Sequence, residues 1–178
     1  MMKDRDKAYI AGIVDGEGSL MIVRTRGKLS KTDTFYPKCT IATINEDLMQ
    51  YLDLLIHGNA FKRPAQKSGN FDTYHFSVYG KHCVKLLKDI KEYMIIKRSQ
   101  AELLVRFYDE FPRWNGGGTK KPQIMEARQA LWHQAVKHLN HARNEQANQL
   151  LETASKMMPC SELYGNIESN QEIDCRLN

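Results

Sequence analysis

The stretch from Tyr9 to Leu20, Y-I-A-G-I-V-D-G-E-G-S-L, constrains this chain more than any other. Ile10, Ala11, Ile13 and Val14 make an apolar helical segment, and Gly12 and Gly16 stand four apart, so both glycines expose bare backbone on one face. Something must approach that face closely. The segment runs into Asp15-Gly16-Glu17-Gly18-Ser19, which puts a carboxylate at the C-terminal end of a helix, where unpaired carbonyls already make the potential negative. A carboxylate there is poorly placed unless a cation joins it.

The acidic, glycine-rich end fits neither of two common loops. A calcium loop begun at Asp15 needs Gly at its sixth place and a bidentate Glu at its twelfth, and the chain has Leu20 and Arg26 there. A dinucleotide fingerprint begun at Gly16 finds Gly18 but meets Met21 where its third Gly belongs, and no strand precedes the helix.

With 178 residues the chain suits one domain with an appendage. Its net charge of +5 and pI near 9.0 permit a polyanionic partner. Cys39, Cys83, Cys160 and Cys175 show no C-x-x-C pairing, and two of them fall in apolar strand or helix patterns, which suggests reduced, buried thiols more than disulfides or a zinc site. No apolar run is long enough to span a bilayer and M-M-K-D-R-D-K carries no hydrophobic signal core, so a soluble, intracellular protein is expected.

After the first helix, Ser19 to Arg26 reads as a strand, followed by a polar loop to Thr34 and a second strand from Phe35 to Thr43. Asn45-Glu46-Asp47 opens a helix with Leu48, Tyr51, Leu52, Leu55 and Ile56 at helical spacing. Asn59 to Arg63 and Thr73 to Tyr79 make another strand pair around P-A-Q-K-S-G-N. Gly80 introduces a helix with Cys83, Leu86, Leu87, Ile90 and Met94 on one face, and a further helix carries Leu103, Leu104, Phe107 and Phe111. Beyond a Gly-rich joint from Pro112 to Pro122, Ile124, Ala127, Leu131, Ala135 and Leu139 stripe a helix, and Gln146 to Met157 suggests another. The expected division is a core at 1–112, a helical extension at 113–158 and a loosely ordered tail at 159–178.

The signature helix, with F-Y-P-K-C-T-I, Y-H-F-S-V-Y-G and Y-M-I-I-K-R-S-Q-A-E-L-L in that order, resembles the LAGLIDADG homing endonucleases over roughly residues 8 to 112. The resemblance implies an α+β fold of order αββαββα, a curved antiparallel sheet with helices on one face, here with added C-terminal helices. The same order follows from periodicity. One copy of the motif is present, so a helix with Gly12 and Gly16 exposed finds its simplest partner in its own copy across a two-fold axis. Ile10, Ala11, Gly12, Ile13 and Gly16 are therefore the expected homodimer interface.

By the same resemblance Glu17, the last acid of the motif, is a metal ligand with the Gly16 carbonyl as a second oxygen, and Mg²⁺ or Mn²⁺ is the expected ion. Asp15, the motif's first acid, has a more structural place in the family. Lys97 matches the family's basic residue near the scissile phosphate, with Arg98 as its fallback. The polar residue that orders water at the end of the second strand is either Thr43 or Asn45, and Asn45 also reads as an N-cap. His133, His138 and His141 fit no standard zinc spacing.

Strand parity selects the side chains that a sheet would present to a DNA major groove. If Leu20 and Ile22 face the core, then Met21, Val23 and Thr25 face outward, with Tyr36, Lys38 and Thr40, then Phe61 and Arg63, then Thr73, His75 and Ser77. Arg24 and Arg26 then point inward, so a bulge or early strand end is expected to turn them towards phosphate, beside Lys28 and Lys31. The function so implied is a homodimeric endonuclease that cuts both strands of a long pseudo-palindromic double-stranded DNA site and leaves short 3′ overhangs. The alternatives are a maturase that binds its host intron RNA and a DNA-binding regulator on the same scaffold.

Overall fold

The structure is a computed structural model that describes residues 2–28, 31–65, 71–111 and 123–157. The joint at 112–122, the tail at 159–178 and most of the tip between the third and fourth strands lie outside the described residues, as do Cys160 and Cys175.

The chain runs α1 (Asp4–Glu17), β1 (Gly18–Thr25), β2 (Thr34–Thr43), α2 (Glu46–Leu55), β3 (Asn59–Arg63), β4 (Thr73–Tyr79) and α3 (Gly80–Ile90). A 3₁₀ turn (Lys91–Tyr93) then leads to α4 (Arg98–Glu110), α5 (Gln123–Leu139) and α6 (Asn144–Lys156). This is the expected α+β order. The four strands form one antiparallel sheet, β1-β2-β4-β3.

Side chains alternate across a strand, so one face of the sheet collects Leu20, Ile22, Phe35, Cys39, Ile41, Tyr74, Phe76 and Val78, all buried. Ile10, Val14, Leu52, Leu87, Leu104, Phe107 and Phe111 of the helices close over that face and join the same core. Each such side chain stabilises the fold by about 1.5–3 kcal/mol when withdrawn from water. Cys39 and Cys83 are buried in this layer as free thiols. Burial pushes the Cys39 thiol up to about 12, which leaves it unreactive.

The sequence stripe on α5 is one step out of register with the face that packs. Met125, Arg128, Gln129, Trp132, Ala135 and Val136 are buried, whereas Ala127 is exposed and Ile124, Leu131 and Leu139 are only half-buried. Hydropathy passes over the true face because Arg128 and Gln129 lie in it. The Arg128 guanidinium enters by pairing with Glu110 of α4, and Trp132 packs against Phe107 and Phe111.

α5 also closes the sheet. β1 is an edge strand, and edge carbonyls need partners. His133 Nδ1 lies 2.6 Å from the Ile22 carbonyl, and Asn140 Nδ2 donates to the Leu20 carbonyl at 3.0 Å. A carbonyl can only accept, so the His133 ring carries a proton on Nδ1.

Candidate active site and nucleic-acid interface

The C-terminal end of α1 divides its two acids between different tasks. A Cβ at Gly18 would lie 2.5 Å from the Val14 carbonyl oxygen, so only glycine allows the helix to turn directly into β1. Asp15 points inward and accepts from the amides of Ile95 at 2.6 Å, Ile96 at 3.1 Å and Lys97 at 2.9 Å. Burial alone would raise its carboxyl, but these three amides and the Lys97 charge hold it below the usual carboxylate range. Glu17 points the other way and is exposed, as is Gly16.

Lys97 supplies the cation that this helix end lacks. α1 has no basic residue in its last turn. The Lys97 ammonium, brought in at the start of α4, donates to the carbonyls of Val14 at 3.0 Å, Asp15 at 2.6 Å and Gly18 at 2.8 Å. An ammonium has three donors, and three carbonyls take them. Two of those carbonyls flank Glu17 in sequence, so Lys97 fixes the backbone that carries the exposed acid. Arg98 is committed elsewhere, to Glu92 at 2.6 Å and Glu102 at 3.3 Å.

At the end of β2, Asn45 caps α2. Its Oδ1 accepts from the Leu48 amide at 2.9 Å, while its own amide donates to Thr43 Oγ1 at 3.1 Å. Thr43 lies two residues beyond Ile41, the strand partner of Gly18, and so sits at the same end of the sheet as Glu17. Each side-chain oxygen thus accepts one backbone N–H, and the capping geometry does not choose between Thr43 and Asn45.

The exposed face of α1 differs from the interface expected from the motif. Ile10 and Ala11 are fully buried within their own chain, and Ile13 is partly buried against the core, so the first two cannot meet another subunit. The open face instead carries Ala8, Gly12 and Gly16, with Tyr9 beside them. A Cβ at Gly12 or Gly16 would meet nothing within 4 Å. Among the described residues, the bare backbone of this face has no partner.

The sheet's other face lies open. The register pairs Met21 with Lys38, Val23 with Tyr36, Thr40 with Ser77, Phe61 with His75 and Arg63 with Thr73, so the expected set does share one face. Phe61 stacks on His75 with centroids 5.0 Å apart, and Lys38 Nζ lies 5.1 Å from the centroid of Tyr79. Tyr79 belongs to this face although the sequence set stopped at Ser77; one more step of the same alternation reaches it. Ser77 itself is only 4% exposed, so it cannot offer its hydroxyl to a groove as expected.

No bulge redirects Arg24 and Arg26. β1 pairs with β2 without interruption to Thr25. Both guanidiniums instead converge on Asp33, a buried carboxylate in the β1–β2 loop; Arg24 pairs with it and Arg26 Nε donates to it at 2.6 Å. The Asp33 amide in turn donates to Glu126 of α5 at 2.9 Å. Burial would raise the Asp33 carboxyl, but the two arginines hold it down. These contacts staple loop to helix; Arg24 and Arg26 remain exposed beside their carboxylate, and Lys28 and Lys31 are exposed loop cations as well.

Neither a protein-family model nor a curated protein matches the sequence. Solved structures do match. The homing endonuclease I-CvuI superposes with a TM-score of 0.62 at 20% identity, over 85% of this chain and 96% of that one. The archaeal intron-encoded homing endonuclease I-Vdi141I, complexed with DNA, gives 0.53 at 17% identity over 87% and 98%. This chain has the LAGLIDADG homing endonuclease fold. The homing endonuclease I-TnaI shares it, with a TM-score of 0.50 at 17% identity over 83% of this chain and 97% of that one.

On the LAGLIDADG scaffold the exposed Glu17 stands where α1 passes into the open-faced sheet. Among the described residues no three His, Cys, Asp or Glu side chains gather into a group able to hold a metal. Glu17 offers hard oxygen, which suits Mg²⁺, but one carboxylate does not complete a site. The donor set fits a divalent ion only if further oxygens come from outside the chain. No described helix is long and apolar enough to cross a membrane.

Proposed function

We propose that this chain is a homing endonuclease that acts as a homodimer, hydrolysing both strands of a long, roughly palindromic duplex with Mg²⁺ or Mn²⁺ and leaving short 3′ overhangs. The observation that carries the proposal is the exposed Glu17 at the end of a glycine-faced helix, directly before the first strand of an open, cationic and aromatic sheet face. Two copies related through α1 bring two Glu17 carboxylates together, and like charge disfavours ionising both unless cations lie between them. The remaining oxygens then come from the Gly16 carbonyl, water and the scissile phosphates. A bound divalent ion supplies activation of water and stabilisation of the leaving 3′ oxygen. The chain's own part is to hold Glu17 in place, through the amides clamped on Asp15 and the carbonyls held by Lys97.

Similar proteins support the binding of a DNA target in the presence of a divalent ion. I-CvuI has been crystallised with a target in the presence of Mg, its DNA not cleaved, and with its own target in the presence of Ca. The test is to incubate the purified protein with Mg²⁺ and a randomised duplex library and sequence both cut ends. A recurrent pair of cuts related by two-fold symmetry, offset to leave 3′ overhangs, is the expected result. Absence of any recurrent cut, together with retained binding to intron RNA, refutes nuclease function in favour of the maturase alternative.

A further inference from the structure

His133 and Lys137 stand four apart on α5, and Asn140, one residue past its end with its amide still bonded to the Val136 carbonyl, continues the same face. His133 and Asn140 are anchored to the edge carbonyls of β1. Lys137 lies between them and, with both, lines a cleft of about 540 Å³ whose opposite wall includes Met21, Val23 and Arg24. Met21 and Val23 pair with Lys38 and Tyr36 and belong to the open face, so the cleft lies along its margin. Among the described residues no Asp or Glu lines it. Arg24 is already balanced by Asp33, whereas exposed Lys137 forms no ion pair among the described residues. A cation with no acid beside it among the described residues, held over such a cleft, is a place for an anion.

We propose that Lys137 and this cleft receive a backbone phosphate of the duplex lying on the open sheet face, which makes α5 part of the DNA interface. This rests on the DNA-cleaving function above. A phosphate fits better than a base edge. Met21 and Val23 offer no directed hydrogen-bonding groups, and a lysine ammonium acts as a point charge without the planar fork that reads guanine. The role of such a contact is to fix register and raise affinity for all sequences alike.

The test uses the full-length protein and its selected target, with Lys137→Ala and Lys137→Arg compared by binding over a salt series and over all single-base-pair variants. Lys137 is exposed on a helix, and alanine there keeps the helix. Lys137→Ala should weaken binding to every duplex by the same factor and lower the slope of log affinity against log salt by about 0.9 per chain, while Lys137→Arg keeps the slope. An unchanged affinity and slope for Lys137→Ala overturns the phosphate site and leaves the endonuclease proposal standing. A loss confined to one base-pair position also overturns it, since the contact would then read a base. Failure of the wild-type protein to bind any duplex overturns the DNA-cleaving function itself.

Discussion

Alanine at Gly12 or Gly16 should move two quantities in opposite directions. Among the described residues of one chain a Cβ at either position meets nothing within 4 Å, so the substitution creates no clash there. At Gly12 it also removes a glycine from a helix interior, which raises the stability of the isolated chain by up to about 1 kcal/mol, and at Gly16, in the last turn, by less. If the face closes on its own copy across a two-fold axis, every substitution appears twice in one contact. Overpacking costs about 1–3 kcal/mol per site. Doubled by symmetry, that weakens dimerisation by roughly 2–6 kcal/mol, or about 30-fold to 10⁴-fold in dissociation constant. Sedimentation velocity over a dilution series reads the association, and thermal melts at concentrations below dissociation read the chain alone. A variant that dimerises like the wild type shows that the subunits meet elsewhere. A variant whose monomer loses stability shows that the glycine face is not open.

Replacing Lys97 with methionine removes three donors from the end of α1 and should cost roughly 2–4 kcal/mol in chemical denaturation without DNA, one to two charged hydrogen bonds once water has replaced the rest; unchanged stability would remove its bracing role. Asp15 has a lowered carboxyl, so its contribution is present above its ordinary value near ~3.9 and is lost as pH falls through the lower folded-state value. The melting-temperature gap between the wild type and Asp15→Asn should therefore close below about pH 4, and a gap constant from neutral to strongly acid pH contradicts the amide clamp. Arg63→Ala should change base preference at one symmetric pair of target positions by roughly 1–3 kcal/mol, while Lys28→Ala lowers affinity for all targets equally. A uniform loss for both means the sheet does not read the major groove.

Local chemistry was legible in the sequence wherever one element decides the outcome. The Asn45 cap, the helical spacing of α2, α3 and α4 and the parity of all four strands need only neighbours in sequence. The open face followed from parity down to the partners Phe61 and His75. What escaped depends on contacts between distant elements. Arg24 and Arg26 looked displaced because Asp33 is seven or more residues further on, in a polar loop with no periodic signal. The packed face of α5 was hidden by Arg128 and Gln129, which hydropathy counts as surface. The motif marks a helix and cannot say which side faces the sheet, so sequence alone places Ile10 and Ala11 at the interface when the fold buries them. The amide clamp on Asp15 and the carbonyls gathered by Lys97 join residues about 80 apart, so they are visible only in the fold.

The most direct measurement compares wild-type protein and Glu17→Gln on the same target duplex with Mg²⁺, following cleavage of each strand and binding in parallel. Glutamine keeps the shape of the side chain and removes its charge, and Glu17 is exposed at the helix end, so folding and specific binding should persist. The expected result is loss of cutting on both strands with near-normal affinity. Substantial nicking by Glu17→Gln contradicts the assignment of this carboxylate as the one that holds the divalent ion.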